Sequence, residues 1–319
     1  MPKSQSCAGC EVRKIKSLDG EETREREKPI ILDSALGTEL ERRGFETTLP
    51  LWSAKALIEA PTLVWEIHKE YVEAGAEVLT ACTFRTTPYT LRKMGLEKRA
   101  EELTHQAMRY ARAASTEPPL IPPLKRGEIK VAGSMAPLED CYHPERAPSD
   151  DILRREHVRF AEMLKDAGVD LILVETQNSA REALIATEAA LATGLPVWTS
   201  LMPKGVTEMF NGDDLAETAR RVHDLGVEVV LINCARPGIA AGAFGTLAET
   251  LPEAKLGLYP NLLKPPAPQN TVLGEKRFEE FAEWLARFAV RASVLGGCCG
   301  TTPEHIAALH QEFVSDTVR

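Results

Sequence analysis

A helical segment that ends in glycine and is followed by a short apolar run recurs along this chain, and this repeat restricts the possible folds more than any other feature. It occurs in YVEAGAEVLT, LKDAGVDLILVE, LATGLPVWTS and VHDLGVEVVLINC, which contain Gly75, Gly168, Gly194 and Gly226. Glycine just past a helix end adopts the left-handed conformation that closes the helix. The apolar run after it is typical of a strand buried on both faces, as in a parallel sheet. The repeating unit is therefore helix, glycine, strand.

Eight such apolar runs predict eight strands. Strictly alternating strands and helices imply a parallel sheet. Eight units in about 290 residues fit a single-domain (β/α)8 TIM barrel, which we place at residues 29–319. An open doubly wound sheet is the alternative, and it is disfavoured because no GxGxxG motif follows the first strand. The predicted strands lie near residues 29–32, 77–80, 130–132, 170–174, 197–200, 228–232, 255–258 and 292–295.

Charge and cysteine content restrict the compartment and the partners. Residues 1–28 are highly charged and lack an apolar centre, so we predict a flexible polar arm and not a secretory signal. No apolar run of about eighteen residues is present, which argues against a membrane span. A net charge of −9 argues against nucleic acid or an anionic membrane as the main partner. Seven cysteines without a secretion signal predict a cytoplasmic protein whose thiols serve metal binding or catalysis.

Polar and thiol side chains follow seven of the eight predicted strands. In barrels of this type the chemistry gathers where the strands end, so these are the candidate functional residues. They are Asp33 after the first strand; Cys82, Thr83 and Arg85 after the second; Ser134, Asp140 and Cys141 after the third; Glu175 and Thr176 after the fourth; Asn233 and Cys234 after the sixth; Tyr259 and Asn261 after the seventh; and Cys298 and Cys299 after the eighth.

Three of the five cysteines among these residues follow two nearby strands. Cys234 follows the sixth strand, and Cys298 and Cys299 follow the eighth, which has one strand between it and the sixth in a closed barrel. Three thiolates at one point match a zinc site with one open coordination position, the arrangement of catalytic zinc. The glycines around the adjacent pair allow backbone angles that would turn both thiols to one side. The alternatives are small buried core residues or a strained vicinal redox pair.

The segments ILDSALGTELERRG, INCARP and GGCCGTTPEHI together resemble the homocysteine S-methyltransferases, and the resemblance covers residues 30–310. It implies a (β/α)8 barrel that transfers a methyl group to the thiol of homocysteine, giving methionine, with the help of zinc. The family's zinc ligands, catalytic through the metal, match Cys234, Cys298 and Cys299. Its homocysteine pocket matches Asp33 and Glu175, whose carboxylates would hold the substrate ammonium.

The resemblance is incomplete at two positions near the expected pocket. The first motif reads Asp-Ser where the family usually has Asp-Gly, so Ser34 adds a side chain where the backbone approaches the amino acid. After the second strand the family often has Thr-Asn-Thr, and Ala81 and Cys82 cannot replace an Asn amide. We expect Ser34, Thr83 and Asn233 to contact the substrate, and the two departures bear on its identity.

The methyl donor is the least constrained part of the reaction. The thiolate is the nucleophile, and zinc deprotonates an incoming thiol. We expect no cobalamin or folate module, so S-methylmethionine or S-adenosylmethionine is favoured as donor, with betaine or another thiol acceptor as alternatives. Two other classes stay open. One is a barrel lyase or aldolase, which needs a strand-end lysine or a metal carboxylate set; the other is a non-catalytic zinc- or thiol-binding barrel.

Other cysteines and histidines carry weaker signals. Cys7 and Cys10 have CxxC spacing, but they lie in the polar arm without a preceding strand, so we interpret the spacing as incidental. Cys82 and Cys141 are interpreted as packing residues, with a place in the pocket lining as the alternative. His68 and His157 fall in helical segments without metal-ligand spacing, and we expect them to be partly exposed.

Overall fold

The computed structural model describes residues 28–116, 128–262 and 278–315, and a sheet of eight strands forms its centre. Each strand from β2 to β7 pairs with the strand that follows it, β8 pairs with β1, and every pair is parallel. The strands are β1 (Ile30–Ile31), β2 (Val78–Ala81), β3 (Lys130–Met135), β4 (Leu171–Gln177), β5 (Val197–Leu201), β6 (Val229–Asn233), β7 (Leu256–Tyr259) and β8 (Ala292–Leu295).

The sheet closes on itself through β1, the shortest strand. A parallel bridge joins Leu32 to Val78, and the Asp33 N–H donates to the Val78 carbonyl at 3.0 Å. The Glu77 carboxylate accepts the Ile31 N–H at 2.9 Å, so a side chain extends the pairing below the bridge. Both edges of β1 are therefore paired. The closed ring confirms the predicted (β/α)8 TIM barrel and excludes the open doubly wound sheet.

Helices occupy the connections between consecutive strands. The connection from β1 to β2 holds three of them, and the connection from β2 to β3 holds two. The described α-helices are α1 (Leu36–Arg42), α2 (Ala54–Glu59), α3 (Pro61–Glu73), α4 (Pro88–Arg92), α5 (Ala100–Thr116), α6 (Asp150–Asp166), α7 (Ala180–Leu191), α8 (Leu215–Asp224), α9 (Pro237–Thr250), α10 (Phe278–Ala286) and α11 (Pro303–Ser315). Across these described helices, none is long and apolar enough to cross a lipid bilayer.

The glycines of the sequence repeat close helices, as predicted. Gly75, Gly168, Gly194 and Gly226 follow α3, α6, α7 and α8, and their φ angles are +94°, +82°, +77° and +98°. A residue with a Cβ is disfavoured in this left-handed region, whereas glycine enters it without steric cost. The repeat is thus a sequence of helix ends that turn the chain into the next strand.

Alternate residues of each strand serve two separate apolar cores. On β4, Leu171 and Leu173 belong to the core inside the barrel, whereas Ile172 and Val174 pack outward against the helices. This division follows from the opposite directions of successive side chains on a strand. The inner core continues to Cys298 at the carboxyl ends of the strands. The barrel interior is therefore the floor of the predicted site.

Six strands extend further toward the site than the sequence predicts: β3 and β4 by three residues, and β2, β5, β6 and β7 by one. β3 ends at Met135 and not at 132, and β4 ends at Gln177 and not at 174. Ser134 and Glu175 consequently lie within strands and not just after them. Both side chains are buried and hydrogen-bonded to each other, so backbone pairing continues where polar residues suggested a loop.

Two histidine predictions are wrong. His68 and His157 are fully buried and not partly exposed. Burial lowers the pKa of His68 to about 4, so this imidazole packs as a neutral ring. His157 Nε2 lies 3.0 Å from Glu182 Oε1, a buried carboxylate on α7. Both residues lie on the inner faces of their helices. The prediction failed because histidine was treated as a polar surface residue.

The N-terminal arm falls almost entirely outside the described ranges. Residues 1–27, which include Cys7 and Cys10, are not among them. The boundary between arm and barrel therefore stays a prediction.

Alanine substitutions at two of the helix-ending glycines separate backbone strain from packing. A Cβ at Gly75 would lie 2.4 Å from His310 Cδ2, whereas one at Gly168 meets nothing within 4 Å. We expect Gly168→Ala to cost about 1–2 kcal/mol of unfolding free energy through left-handed strain alone. Gly75→Ala should cost about 1–3 kcal/mol more because α11 must move. Urea unfolding of both variants measures the difference, and equal costs would contradict the predicted clash.

Candidate active site and metal centre

Three cysteine thiols converge at the carboxyl ends of the strands. Cys234 directly follows β6, and Cys298 and Cys299 lie just beyond β8. Their Sγ atoms are all within 4.8 Å of one another. Four-coordinate zinc with Zn–S bonds of about 2.3 Å spaces its sulfur ligands about 3.8 Å apart. The donor set and its spacing fit zinc and leave a fourth coordination position for another ligand.

The backbone around the cysteines is shaped so that the thiols face one point. Cys234 has a φ of 55°, a left-handed conformation that is uncommon for a residue with a side chain and is concentrated at functional sites. Gly300, after the adjacent pair, has a φ of +82°. Gly297 serves a different purpose, because a Cβ there would lie 2.1 Å from Thr301 Oγ1. One glycine therefore permits the turn, and the other permits close packing.

Hydrogen bonds within the cluster control its acidity. Donation from the Cys298 and Cys299 thiols lowers the pKa of Cys234, and these shared bonds raise the pKa of both donors. Asn261 Nδ2 also donates to Cys234 Sγ at 3.6 Å, and the Tyr142 hydroxyl lies 3.5 Å from the same sulfur. The surroundings therefore favour a thiolate at Cys234, which is the form that binds a metal cation.

Two buried carboxylates face the same cavity as the thiols. Asp33 accepts the backbone N–H and the hydroxyl of Thr80 at 2.7 and 2.8 Å. Glu175 accepts the Ser134 hydroxyl and, at 3.4 Å, the Tyr259 hydroxyl. Burial is the main cause that raises the pKa of both carboxyls to about 7. A cationic ligand between them would restore the ionised form.

The Ser34 hydroxyl joins the first loop to the cysteine turn. It bonds to the Cys298 carbonyl at 3.3 Å and to the Thr301 hydroxyl. Ser34 also lines the cavity, at the position where the sequence departs from Asp-Gly. The added side chain is therefore directed into the loop after β8, which carries two of the three thiols.

The remaining predicted substrate residues lie behind the cavity wall. Thr83 and Asn233 are fully buried, and neither lines the cavity. The Thr83 hydroxyl donates to the Ser134 carbonyl at 2.9 Å. Asn233 accepts the Ser200 hydroxyl at 2.8 Å and donates to the Thr176 hydroxyl at 2.9 Å. Both side chains are used to connect neighbouring strands next to the site.

An aromatic wall completes the cavity, and sequence reasoning missed it. The cavity has a volume of about 380 Å³, and Trp52, Phe84 and Tyr142 line it. The Trp52 and Phe84 rings meet edge to face with centroids 5.4 Å apart. Tyr142 follows Cys141 directly, so its position after the third strand was a usable signal. Trp52 lies in the loop after α1, where no strand-end rule applies.

The fold and the site together define a (β/α)8 barrel enzyme whose catalytic face carries a thiol cluster and two carboxylates beside one cavity. A family model described as homocysteine S-methyltransferase matches residues 30–313. The chain therefore belongs to the homocysteine S-methyltransferase family, as the sequence motifs implied.

Individual relatives agree with this assignment. A selenocysteine Se-methyltransferase from Brassica oleracea var. italica is 30% identical, over 89% of this chain and 89% of that protein. The homocysteine S-methyltransferase of Escherichia coli (strain K12) is 31% identical, over 88% of this chain and 94% of its own. The crystal structure of the homocysteine methyltransferase MmuM from Escherichia coli in its metallated form matches with a TM-score of 0.76 and 28% identity. The match covers 90% of this chain and 97% of that one.

Removal of one thiol tests the metal centre. We expect Cys298→Ala to weaken zinc binding by more than about 100-fold, because loss of a ligand exceeds the loss of a supporting group. Competition with a chromophoric chelator measures the affinity. Cys82→Ala is the matched control, because Cys82 is a buried thiol outside the cluster and bonds to the Ser53 carbonyl. Equal zinc affinity in the two variants would show that the cluster is not the metal site.

Proposed function

We propose that this enzyme transfers a methyl group from S-methylmethionine or S-adenosylmethionine to the thiol of homocysteine, giving methionine, with zinc on Cys234, Cys298 and Cys299. The observation that carries the proposal is the meeting of three thiols with two buried carboxylates, Asp33 and Glu175, around one cavity. A thiol-activating metal and an ammonium-binding pair are the two recognition elements that an aminothiol acceptor requires.

The three cysteines would hold the zinc, and the rest of the site would serve the acceptor. Bound zinc supplies a Lewis acid that lowers the pKa of an incoming thiol, whose ordinary value of about 8.5 leaves it protonated at neutral pH. Asn261 and Tyr142 keep the Cys234 sulfur oriented through their contacts at 3.6 and 3.5 Å. The partly exposed Cys299 marks the side from which the acceptor thiol approaches.

Asp33 and Glu175 would bind the amino group of homocysteine. Both carboxyls are buried with pKa values of about 7, and neither has an ion-pair partner among the described residues. An ammonium group placed between them supplies the missing counter-charge and favours ionisation of both. Thr80 and Ser134 hold the two carboxylates in fixed orientations, so the acceptor is positioned without further rearrangement.

Thr83, Asn233 and Ser34 would act by positioning. Thr83 fixes the Ser134 carbonyl on β3, and the Ser134 side chain bonds to Glu175. Asn233 bridges β4, the strand that presents Glu175, to β5. Ser34 fixes the loop of the adjacent cysteines. In this proposal these residues keep the acceptor subsite rigid, which in-line displacement requires because the reacting atoms must be aligned.

The aromatic wall suits a cationic donor. Trp52, Phe84 and Tyr142 offer ring faces and edges in a partly enclosed, mostly apolar space. Aromatic faces attract sulfonium and ammonium cations. Methyl transfer removes the donor's positive charge, so an apolar wall favours the transition state over the charged ground state.

Other readings of the site are less well supported. Among the described residues no lysine lines the cavity, so the Schiff-base chemistry of an aldolase has no candidate there. Betaine stays an alternative donor, and selenocysteine an alternative acceptor, because a relative at 30% identity is a selenocysteine Se-methyltransferase. A non-catalytic thiol-binding barrel is a further alternative, and a turnover assay distinguishes it from an enzyme. A cytoplasmic location stays a prediction from cysteine usage.

Mass-labelled homocysteine makes the proposed reaction directly visible. S-Methylmethionine becomes methionine when it loses a methyl group, so unlabelled acceptor would give two indistinguishable products. With ¹³C-labelled homocysteine, we expect zinc-loaded, reduced protein to form labelled and unlabelled methionine in equal amounts by mass spectrometry. Cys298→Ala should abolish both products, whereas Arg99→Met, at an arginine paired with Glu102 away from the cavity, should not. Absence of labelled methionine with either sulfonium donor, despite bound zinc, would overturn the proposal.

The carboxyl pKa values predict how the reaction depends on pH. Below pH 7 Asp33 and Glu175 become protonated and no longer attract the ammonium group. We expect kcat/KM for homocysteine to fall by at least about tenfold per pH unit between pH 6.5 and 5.5. The control acceptor 4-mercaptobutyrate, which lacks the amino group, should show a shallower dependence. Identical profiles for the two acceptors would contradict the assignment of the carboxylates.

A further inference from the structure

Arg85, in the loop after β2, is a buried cation that forms no ion pair with a described carboxylate. It is 4% exposed. Its Nη1 donates to the Pro137 and Glu139 carbonyls at 3.2 and 2.9 Å, whereas Nε has no acceptor in the part of the chain that the structure describes. Burial lowers the pKa of Arg85, and the charges of Asp140, Glu139 and Glu182, none of which forms an ion pair with it, only partly offset this effect. Two backbone carbonyls are therefore the hydrogen-bond acceptors that the described chain offers this guanidinium.

A guanidinium in this situation favours an anionic ligand. Arginine does not lose its proton in proteins, so the desolvation of Arg85 cannot be relieved by neutralisation. An unpaired buried charge is unfavourable unless a partner is supplied. The planar fork of five donors matches the two oxygens of a carboxylate. The unsatisfied Nε is one of the donors that such a bidentate contact uses.

Arg85 lies between the site cavity and a second cavity. The second cavity has a volume of about 340 Å³, and Arg85 lines both. Neither Asp33 nor Glu175 borders the second cavity, and no described cysteine does, whereas Glu139 and Asp140 do. Its other basic residues are Lys93, which is paired with Glu139 at 2.6 Å, and Arg146. The guanidinium is therefore on the side of the site away from the carboxylates that bind the acceptor's amino group.

The surroundings hold the guanidinium in place. Its Cζ lies 5.0 Å from the centroid of the Phe84 ring, which belongs to the aromatic wall. The two carbonyls that Arg85 contacts belong to the loop after β3. This loop is anchored in turn, because the Leu138 N–H donates to Glu182 Oε1 at 2.8 Å. A fixed cation beside the aromatic wall is preorganised for a ligand that has a cationic and an anionic end.

We propose that Arg85 binds the carboxylate of the methyl donor and thereby selects donors that carry one. The inference rests on the proposed methyl transfer, because it assigns the donor to the aromatic side of the cavity. The donor's positive methyl-bearing centre would lie between the rings and the thiols, and its carboxylate would extend to Arg85. The acceptor's own carboxylate is attached to the carbon that bears the amino group, which keeps it near Asp33 and Glu175.

Binding of donors with and without the carboxylate tests this role. Calorimetry on zinc-loaded protein compares S-methylmethionine with (3-aminopropyl)dimethylsulfonium, the same sulfonium without its carboxylate. Because hydrogen bonds to charged groups are strong, we expect native protein to prefer S-methylmethionine by about 10-fold or more. Arg85→Met should reduce this preference to within about threefold by weakening the binding of S-methylmethionine alone. Arg85→Lys should retain part of the preference.

A matched control and a second ligand pair complete the test. Arg99→Met removes an exposed arginine that pairs with Glu102 outside both cavities, and it should leave the preference unchanged. Betaine and tetramethylammonium give the same comparison for a quaternary ammonium donor. Loss of the carboxylate preference in Arg85→Met for at least one of the two pairs supports the proposal.

Three results would overturn the assignment. One is that Arg85→Met weakens the binding of both ligands of each pair equally. Arg85 would then only stabilise the loop after β3. Another is that native protein shows no carboxylate preference in either pair. The third is that Arg85→Met reduces the preference for homocysteine over 3-aminopropane-1-thiol and leaves the donor preference unchanged. This result would assign Arg85 to the carboxylate of the acceptor. Melting temperature and zinc content of each variant verify the fold. Formation of labelled methionine is measured separately from ligand binding. A failure of the proposed reaction can therefore be distinguished from a failure of Arg85 to bind the carboxylate.

Discussion

The seam between β1 and β2 is the constraint on which the mouth of the barrel depends. β1 has only two residues, so few backbone pairs are available to close the ring. Two carboxylates extend the seam: Glu77 accepts the Ile31 N–H at one end, and Asp33 accepts the Thr80 N–H at the other. Closure brings all eight carboxyl ends to one face. Asp33 therefore has a structural role in the seam as well as its proposed role toward the acceptor.

Burial at this mouth determines what the site attracts. The inner core of the barrel leads without interruption to the thiols, so the carboxylates and cysteines lie where water is scarce. Desolvation raises the pKa of Asp33 and Glu175, and mutual hydrogen bonding lowers the pKa of Cys234 below those of Cys298 and Cys299. The carboxylate pair and the thiol cluster are therefore two groups that can become negatively charged. A metal cation and a substrate ammonium are the groups that would neutralise them, and a dry site strengthens both interactions.

Charged groups of both signs border the cavity. Asp33, Glu175 and the thiols lie near the strand ends, whereas Arg85 and Asp140 stand at the boundary with the second cavity. The aromatic residues Trp52 and Phe84 also line the cavity, and the Phe84 ring lies beside Arg85. Such an arrangement complements zwitterions better than simple cations or anions. The proposed acceptor and donor both have this character, which relates the electrostatics of the fold to the chemistry of its substrates.

Local chemistry was enough to predict the barrel and the strand ends that carry the thiols. A left-handed glycine such as Gly75 closes a helix whatever surrounds it, and parallel strands necessarily end on one face. The extension of β4 to include Glu175, and the withdrawal of Thr83 and Asn233 behind the wall, depend on partners from neighbouring strands. The aromatic wall at Trp52 likewise needs a loop folded over the mouth. The sequence by itself therefore determined which strand ends carry the thiols and carboxylates, whereas the tertiary structure decided which side chains face the cavity, because side-chain direction depends on contacts between distant segments.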